Sequence, residues 1–79
     1  MITTLEKLDK GNLAVVRQIH GGHRIRQSLG RLGLHPEDRL EVLRSGFLGG
    51  PVLIEIHGTE VGIGHGMAEK IEVELAEEP

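Results

Sequence analysis

The chain has 79 residues, 12 of them glycine, with a single aromatic side chain (Phe47), no cysteine and a net charge of −3. At this length only about 60–65% of the unfolded surface can be buried, so one small domain with an aliphatic core is the expectation for residues 1–79. The missing cysteines exclude disulfides, thiolate metal centres and a cysteine nucleophile, and they suit a cytosolic protein.

No secretory leader is visible, because Glu6, Lys7 and Asp9 follow the first five residues at once. The longest apolar run lies near residues 51–54, well short of the ~20 residues a spanning helix needs, so direct membrane insertion is not expected. Charge is unevenly placed. All six arginines fall between Arg17 and Arg44, giving that window a net +3, while the remainder carries −6 and ends in a glutamate-rich tail. Such asymmetry orients a protein partner, or is simply a solvated surface.

In chain order, residues 5–8 form a short turn or helical start and residues 9–12 a loop. Residues 13–20 make the first strand, with Val15, Arg17 and Ile19 on one face and Ala14, Val16 and Gln18 on the other. Gly21-Gly22 leads into a short helix on which Ile25, Leu29 and Leu32 share one face at i, i+4 and i+7. Gly33 ends that helix, and Pro36 prevents it from resuming. Residues 39–44 form the second strand, Leu40 and Val42 inward. The stretch Ser45 to Pro51, with three glycines and a proline, is a turn region.

A hairpin follows. Val52, Ile54 and Ile56 alternate with Leu53, Glu55 and His57, then Gly58-Thr59 turns the chain into residues 60–65. Glycine first in a two-residue loop suits a type II′ turn. That register pairs Ile56 with Val61, Ile54 with Ile63 and Val52 with His65. Residues 66–69 make a turn or single helical turn. A last strand over residues 70–75 places Ile71, Val73 and Leu75 inward, and residues 76–79 fray. Five short strands without a parallel βαβ rhythm predict a mainly β protein, a small antiparallel barrel with one helix between strands one and two.

The ordered motifs are Gly11, Gly21-Gly22, Leu29-Gly30-Arg31-Leu32-Gly33-Leu34-His35-Pro36, Gly49-Gly50-Pro51, Gly58 and Ala68-Glu69-Lys70-Ile71-Glu72-Val73. Together they resemble the ferrous-iron transport protein A (FeoA) family over nearly the whole chain. The resemblance implies an SH3-like barrel in the cytoplasm, beside a membrane ferrous-iron transporter with a GTP-binding domain (FeoB-like). The same fold occurs as the C-terminal domain of iron- or manganese-responsive repressors. Two departures stand out. The family often has Pro-Gly where this chain has Pro36-Glu37, which favours a type I turn over type II. Where the family's fourth strand often reads Ala-Leu-Arg, this chain has Gly64-His65 and lacks the basic side chain.

His20 and His23 flank Gly21-Gly22 and are the candidate metal ligands, since imidazole suits divalent transition ions. His57 and His65 are placed on opposite faces of the hairpin and cannot chelate one ion. No closed ligand pattern is present, so no cofactor is required, and weak binding of Fe2+, Mn2+ or Zn2+ is the most these residues offer. Gly62, Gly64 and Gly66 lack dinucleotide spacing and are points where a small barrel bends or another backbone approaches. Ser28 and Ser45 have no nearby histidine–acid pair, so no enzyme is expected. Arginines 24, 26, 31, 39 and 44 would meet phosphates in a nucleic-acid binder. The negative net charge and the absence of stacking aromatics disfavour that partner. Protein docking fits best. Phe47 and Leu48 are either a lid on the core or an anchor, with Arg24 and Arg31 setting orientation. Self-association stays open.

Overall fold

The computed structural model describes residues 1–76. Six antiparallel strands form one sheet in the order β1-β6-β2-β3-β4-β5. They are β1 (Ile2–Thr4), β2 (Leu13–Ile19), β3 (Arg39–Arg44), β4 (Val52–Ile56), β5 (Thr59–Ile63) and β6 (Ile71–Leu75). Helix α1 (His23–Arg31) joins β2 to β3, and a single turn, α2 (His65–Ala68), joins β5 to β6. A short 3-10 segment occupies Leu5–Lys7, and Phe47 to Gly50 form a tight turn with left-handed backbone at Leu48 and Gly49. The mainly β architecture agrees with expectation, with one strand more than the five foreseen. Three residues at the N-terminus were too few to show periodicity, yet Ile2, Thr3 and Thr4 pair with Glu74, Val73 and Glu72. No ladder joins β1 to β5 among the described residues, so the sheet curls around its core without closing.

The core is wholly aliphatic. Val16, Val42, Val52, Ile54, Ile71 and Val73 are completely buried on the inner face, and among the described residues no polar or charged residue is buried with them. Leu5 and Leu8, which frame the first 3-10 turn, plug the space near β6 and α2. Ala76 remains tied in, donating its backbone N–H to Leu13 O at 2.8 Å, while residues 77–79, also expected to fray, lie outside the described residues.

In β2 the simple alternation fails. Val16 faces Val73 and Gln18 faces Glu72, which leaves Arg17 as an extra residue. This bulge flips the parity, so Ile19 joins Ala14 and Val16 on the core side instead of pointing away with Val15. A bulge cannot be read from periodicity, because it breaks the period.

Helix α1 stops as expected but with one exchange of side chains. Gly33, at φ +88°, turns left-handed, its N–H donating to Gly30 O, while Leu34 N–H reaches back to Leu29 O, both at 3.0 Å. This pair of bonds is a Schellman cap, and its accompanying apolar contact is Leu29 with Leu34, each 1% exposed. Leu32, expected on the buried stripe, sits at the cap position and is 47% exposed. Leu34 enters the core in its place.

Two turns also differ from expectation. The His35–Asp38 turn closes through Asp38 N–H to His35 O at 3.1 Å, with Glu37 at φ +77°. Positive φ at the third position makes it type II, not type I. Glu37 holds that conformation through tertiary bonds: its N–H donates to Val16 O at 2.7 Å and its carboxylate meets Arg17 at 2.8 Å. The β4–β5 loop is His57-Gly58, with φ +52° and +77°, a type I′ turn that matches strand twist better than the expected II′. Ile56 therefore faces Thr59, Ile54 faces Val61 and Val52 faces Ile63. The shift of two residues preserves which face is apolar, which is why the pattern alone could not detect it. His65 is consequently not in β5 but opens α2.

Candidate functional site

The connection between β3 and β4 presents the most exposed large apolar side chains away from the N-terminus. Phe47 is 78% exposed and Leu48 89%, so neither covers the core. The loop folds on itself through Phe47 N–H to Ser45 O at 2.9 Å and Gly50 N–H to Phe47 O at 3.0 Å. Its base is tight at Gly46, where a Cβ would lie 2.7 Å from Gly50 O and 3.1 Å from a Val52 methyl. Glycine is required there by space. At the tip Leu48 adopts φ +54°, ψ +38°. A left-handed branched residue costs roughly 1–2 kcal/mol, and here no burial offsets it.

Arg24 and Arg31 are exposed on α1, and no carboxylate among the described residues lies within ion-pair distance of either. The sequence reading gave them the role of setting orientation while the loop anchors. Gly33, just past Arg31, lies beside His57 at one end of β4, whereas the loop rests on Val52 at the other. The rise of the five-residue strand separates these ends by roughly 15 Å. Arg24 is at the opposite end of α1, near Gly21, which lies against Ile25 and Lys70.

Of the candidate metal ligands, His20 Nε2 contacts Glu72 Oε1 at 3.2 Å, and His23 is the exposed first residue of α1. Among the described residues no three His, Asp or Glu side chains are arranged to hold a metal ion. His57 contacts Asp38, and His65, which lies in α2 and not in the hairpin, contacts Glu69.

One cluster escaped sequence reasoning. Asp38 accepts the His35 backbone N–H at 2.8 Å through Oδ2 and contacts the His57 ring at 3.2 Å through Oδ1. It thereby ties the type II turn to the β4–β5 turn, segments nineteen residues apart. Partial burial pushes the Asp38 carboxyl up. The backbone bond from His35, the charge of His57 and the side-chain hydrogen bonds of both imidazoles outweigh that and hold it below the usual carboxylate value. Arg17, re-aimed by its bulge, similarly bridges Glu37 and Glu74, each at 2.8 Å. A shallow groove of about 310 Å³ beside these turns is lined in part by Leu13, Arg39, Glu41, Glu55 and His57.

No helix among the described residues is long and apolar enough to cross a membrane. A Fe(2+) transport protein A, so assigned by name in Methanocaldococcus jannaschii, is 37% identical over 68 residues, covering 86% of this chain and 80% of that protein. A crystal structure of an iron uptake regulatory protein (FeoA) superposes with a TM-score of 0.88 at 34% identity, covering 96% of this chain and 99% of that one. A manganese-dependent transcriptional repressor shares the fold at a TM-score of 0.85 and 21% identity, 95% of this chain matching 42% of the repressor. The FeoA domain model matches residues 3–75, and the chain belongs to that family.

Proposed function

We propose that this chain is a non-enzymatic accessory protein of ferrous-iron uptake. It docks on the cytosolic part of a membrane ferrous-iron transporter and modulates its uptake or nucleotide cycle. The observation that carries the reading is the Phe47-Leu48 tip, two large apolar side chains exposed side by side on a loop whose base is sterically fixed. Solvent gains nothing from such a tip, and the core gains nothing either. A partner pocket that takes an aromatic anchor does. The arginines of α1, unpaired among the described residues, supply long-range orientation toward an acidic partner surface. Family membership supports ferrous-iron transport as the setting.

The test is an amide-correlation NMR titration of the labelled chain with the soluble GTP-binding domain of the transporter, and separately with ferrous ion. Shifts centred on residues 45–51 with the domain, and none with the metal, are expected. Phe47→Ala should weaken the association by more than ~1 kcal/mol, about fivefold. Unchanged affinity in that variant removes the anchor. Metal-induced shifts centred on His20 and His23 would favour a metal-responsive module instead.

A further inference from the structure

The two edges of the sheet are not equivalent. β1 is three residues long and runs straight into a 3-10 turn, which leaves little to pair with. β5 is five residues long and, among the described residues, is flanked by β4 alone. In a two-residue hairpin the residues that close the loop exchange both backbone bonds, and the pattern then alternates. Ile56 and Thr59 close this one, so Thr59, Val61 and Ile63 direct their N–H and C=O groups to β4. Glu60 and Gly62 direct theirs outward. Both residues are exposed, and no backbone bond among the described residues satisfies those outward groups from elsewhere in the chain.

The side chains of that edge name the chemistry of what it fits. Glu41 on β3 faces Glu55 on β4, and Glu55 faces Glu60 on β5. Three carboxylates thus lie in one lateral row on the outer face, ending at the open edge. Cross-strand neighbours of like charge repel, and no basic side chain stands in register with them. Arg39, on the same face of β3, forms no ion pair with any of the three. Beside Glu60 along the edge is Gly62, whose φ is not positive and whose Cβ, if present, would meet nothing within 4 Å. Neither backbone nor packing in this chain calls for glycine at that position. Its effect is to leave the outer face bare next to the carboxylate row, with the half-buried Leu53 of β4 directly across.

We infer that the β5 edge accepts an extended segment of a partner protein as a seventh strand, with lysine or arginine opposite Glu60 and Gly62. The backbone groups of Glu60 and Gly62 supply the hydrogen bonds. The basic side chain lays its stem across the bare face at Gly62 against Leu53 and brings its charge to Glu60 and Glu55. A second copy of this chain is disfavoured as the occupant, because two β5 edges bring two glutamate rows together. The inference does not rest on docking through the Phe47-Leu48 tip.

The probe is a blocked seven-residue peptide of alternating lysine and valine, titrated into the labelled full chain at low salt. A glutamate–valine counterpart serves for comparison. The lysine peptide is expected to shift the amides of Glu60 and Gly62 and to slow their hydrogen exchange, while the glutamate peptide does neither. Glu60→Lys, an exposed change that leaves the fold intact by its amide spectrum, should weaken the lysine peptide at least tenfold. Equal binding of both peptides, shifts centred anywhere other than β5, or retained affinity in Glu60→Lys would overturn the inference. So would concentration-dependent broadening of the β5 amides without peptide, which would assign the edge to a second copy.

Discussion

Leu48 sets stability and recognition against each other. Its left-handed backbone is unfavourable and its side chain is exposed, so Leu48→Gly should raise stability by up to about 1 kcal/mol in denaturant unfolding. The same variant should dock more weakly, since the tip loses an apolar side chain. A variant that loses both stability and docking would instead mean that Leu48 holds the loop together. Asp38 makes a second prediction at this scale. Its carboxyl is held below its ordinary value in the folded chain, so the stability it confers is complete above pH about 4 and disappears as pH falls through the lowered value. The stability gap between wild type and Asp38→Asn, followed by chemical denaturation across that range, should therefore close toward acid. A gap independent of pH would show that charge at Asp38 plays no part. None of this was legible in the sequence. A backbone dihedral and a contact across nineteen residues leave no local pattern.

Among the elements, those fixed by local rules were readable and those fixed by tertiary bonds were not. The end of α1 was legible because Gly33 does one thing at a helix terminus whatever surrounds it. Even so, the choice of Leu34 over Leu32 for the core depended on how far the chain turns after that glycine. Substitution should separate the two leucines clearly. Leu29→Ala, in a side chain 1% exposed, is expected to cost about 2–5 kcal/mol, whereas Leu32→Ala should cost well under 1 kcal/mol. Similar losses at both positions would contradict the cap described here. The hairpin was recognised with its apolar face correct and its loop displaced by one residue along each strand. His57 supplies the left-handed position without being the usual asparagine or glycine, and its bond to Asp38 helps hold it there. Glu37 does likewise in the type II turn, where glycine is the usual residue at the third position. In both cases a long-range polar contact compensates for an unfavourable local choice, and a reading of local preference assigns the wrong turn.

For the whole molecule, the alternating aliphatics were enough to foretell a small, mainly β domain, because every inward position on β3, β4 and β6 carries Val, Ile or Leu. The candidate site was legible only as a composition anomaly: the one aromatic residue falls in a glycine-rich loop and not in a strand. Where the arginines lie relative to it was not legible. Charge is the property that belongs to this scale. A net −3 chain with its arginines gathered on one segment has a directional field, so association with an acidic partner should slow as salt rises toward 0.15 M, where the Debye length is about 8 Å. Arg24→Glu combined with Arg31→Glu should reduce the association rate more than it raises the dissociation rate, as stopped-flow or surface-based kinetics would resolve. An effect confined to dissociation would make these arginines direct contacts and not steering charges.

The exposure of Phe47 also makes the chain its own reporter. With no tryptophan or tyrosine anywhere, ultraviolet absorbance and intrinsic fluorescence are nearly blind to the core. Growth on fluorinated phenylalanine, conversely, places one fluorine label in the entire polypeptide, at the tip of the β3–β4 loop and outside the packed interior. Once the labelled chain is purified, a single fluorine resonance follows engagement of that tip even in an unlabelled mixture, with no substitution in the sequence.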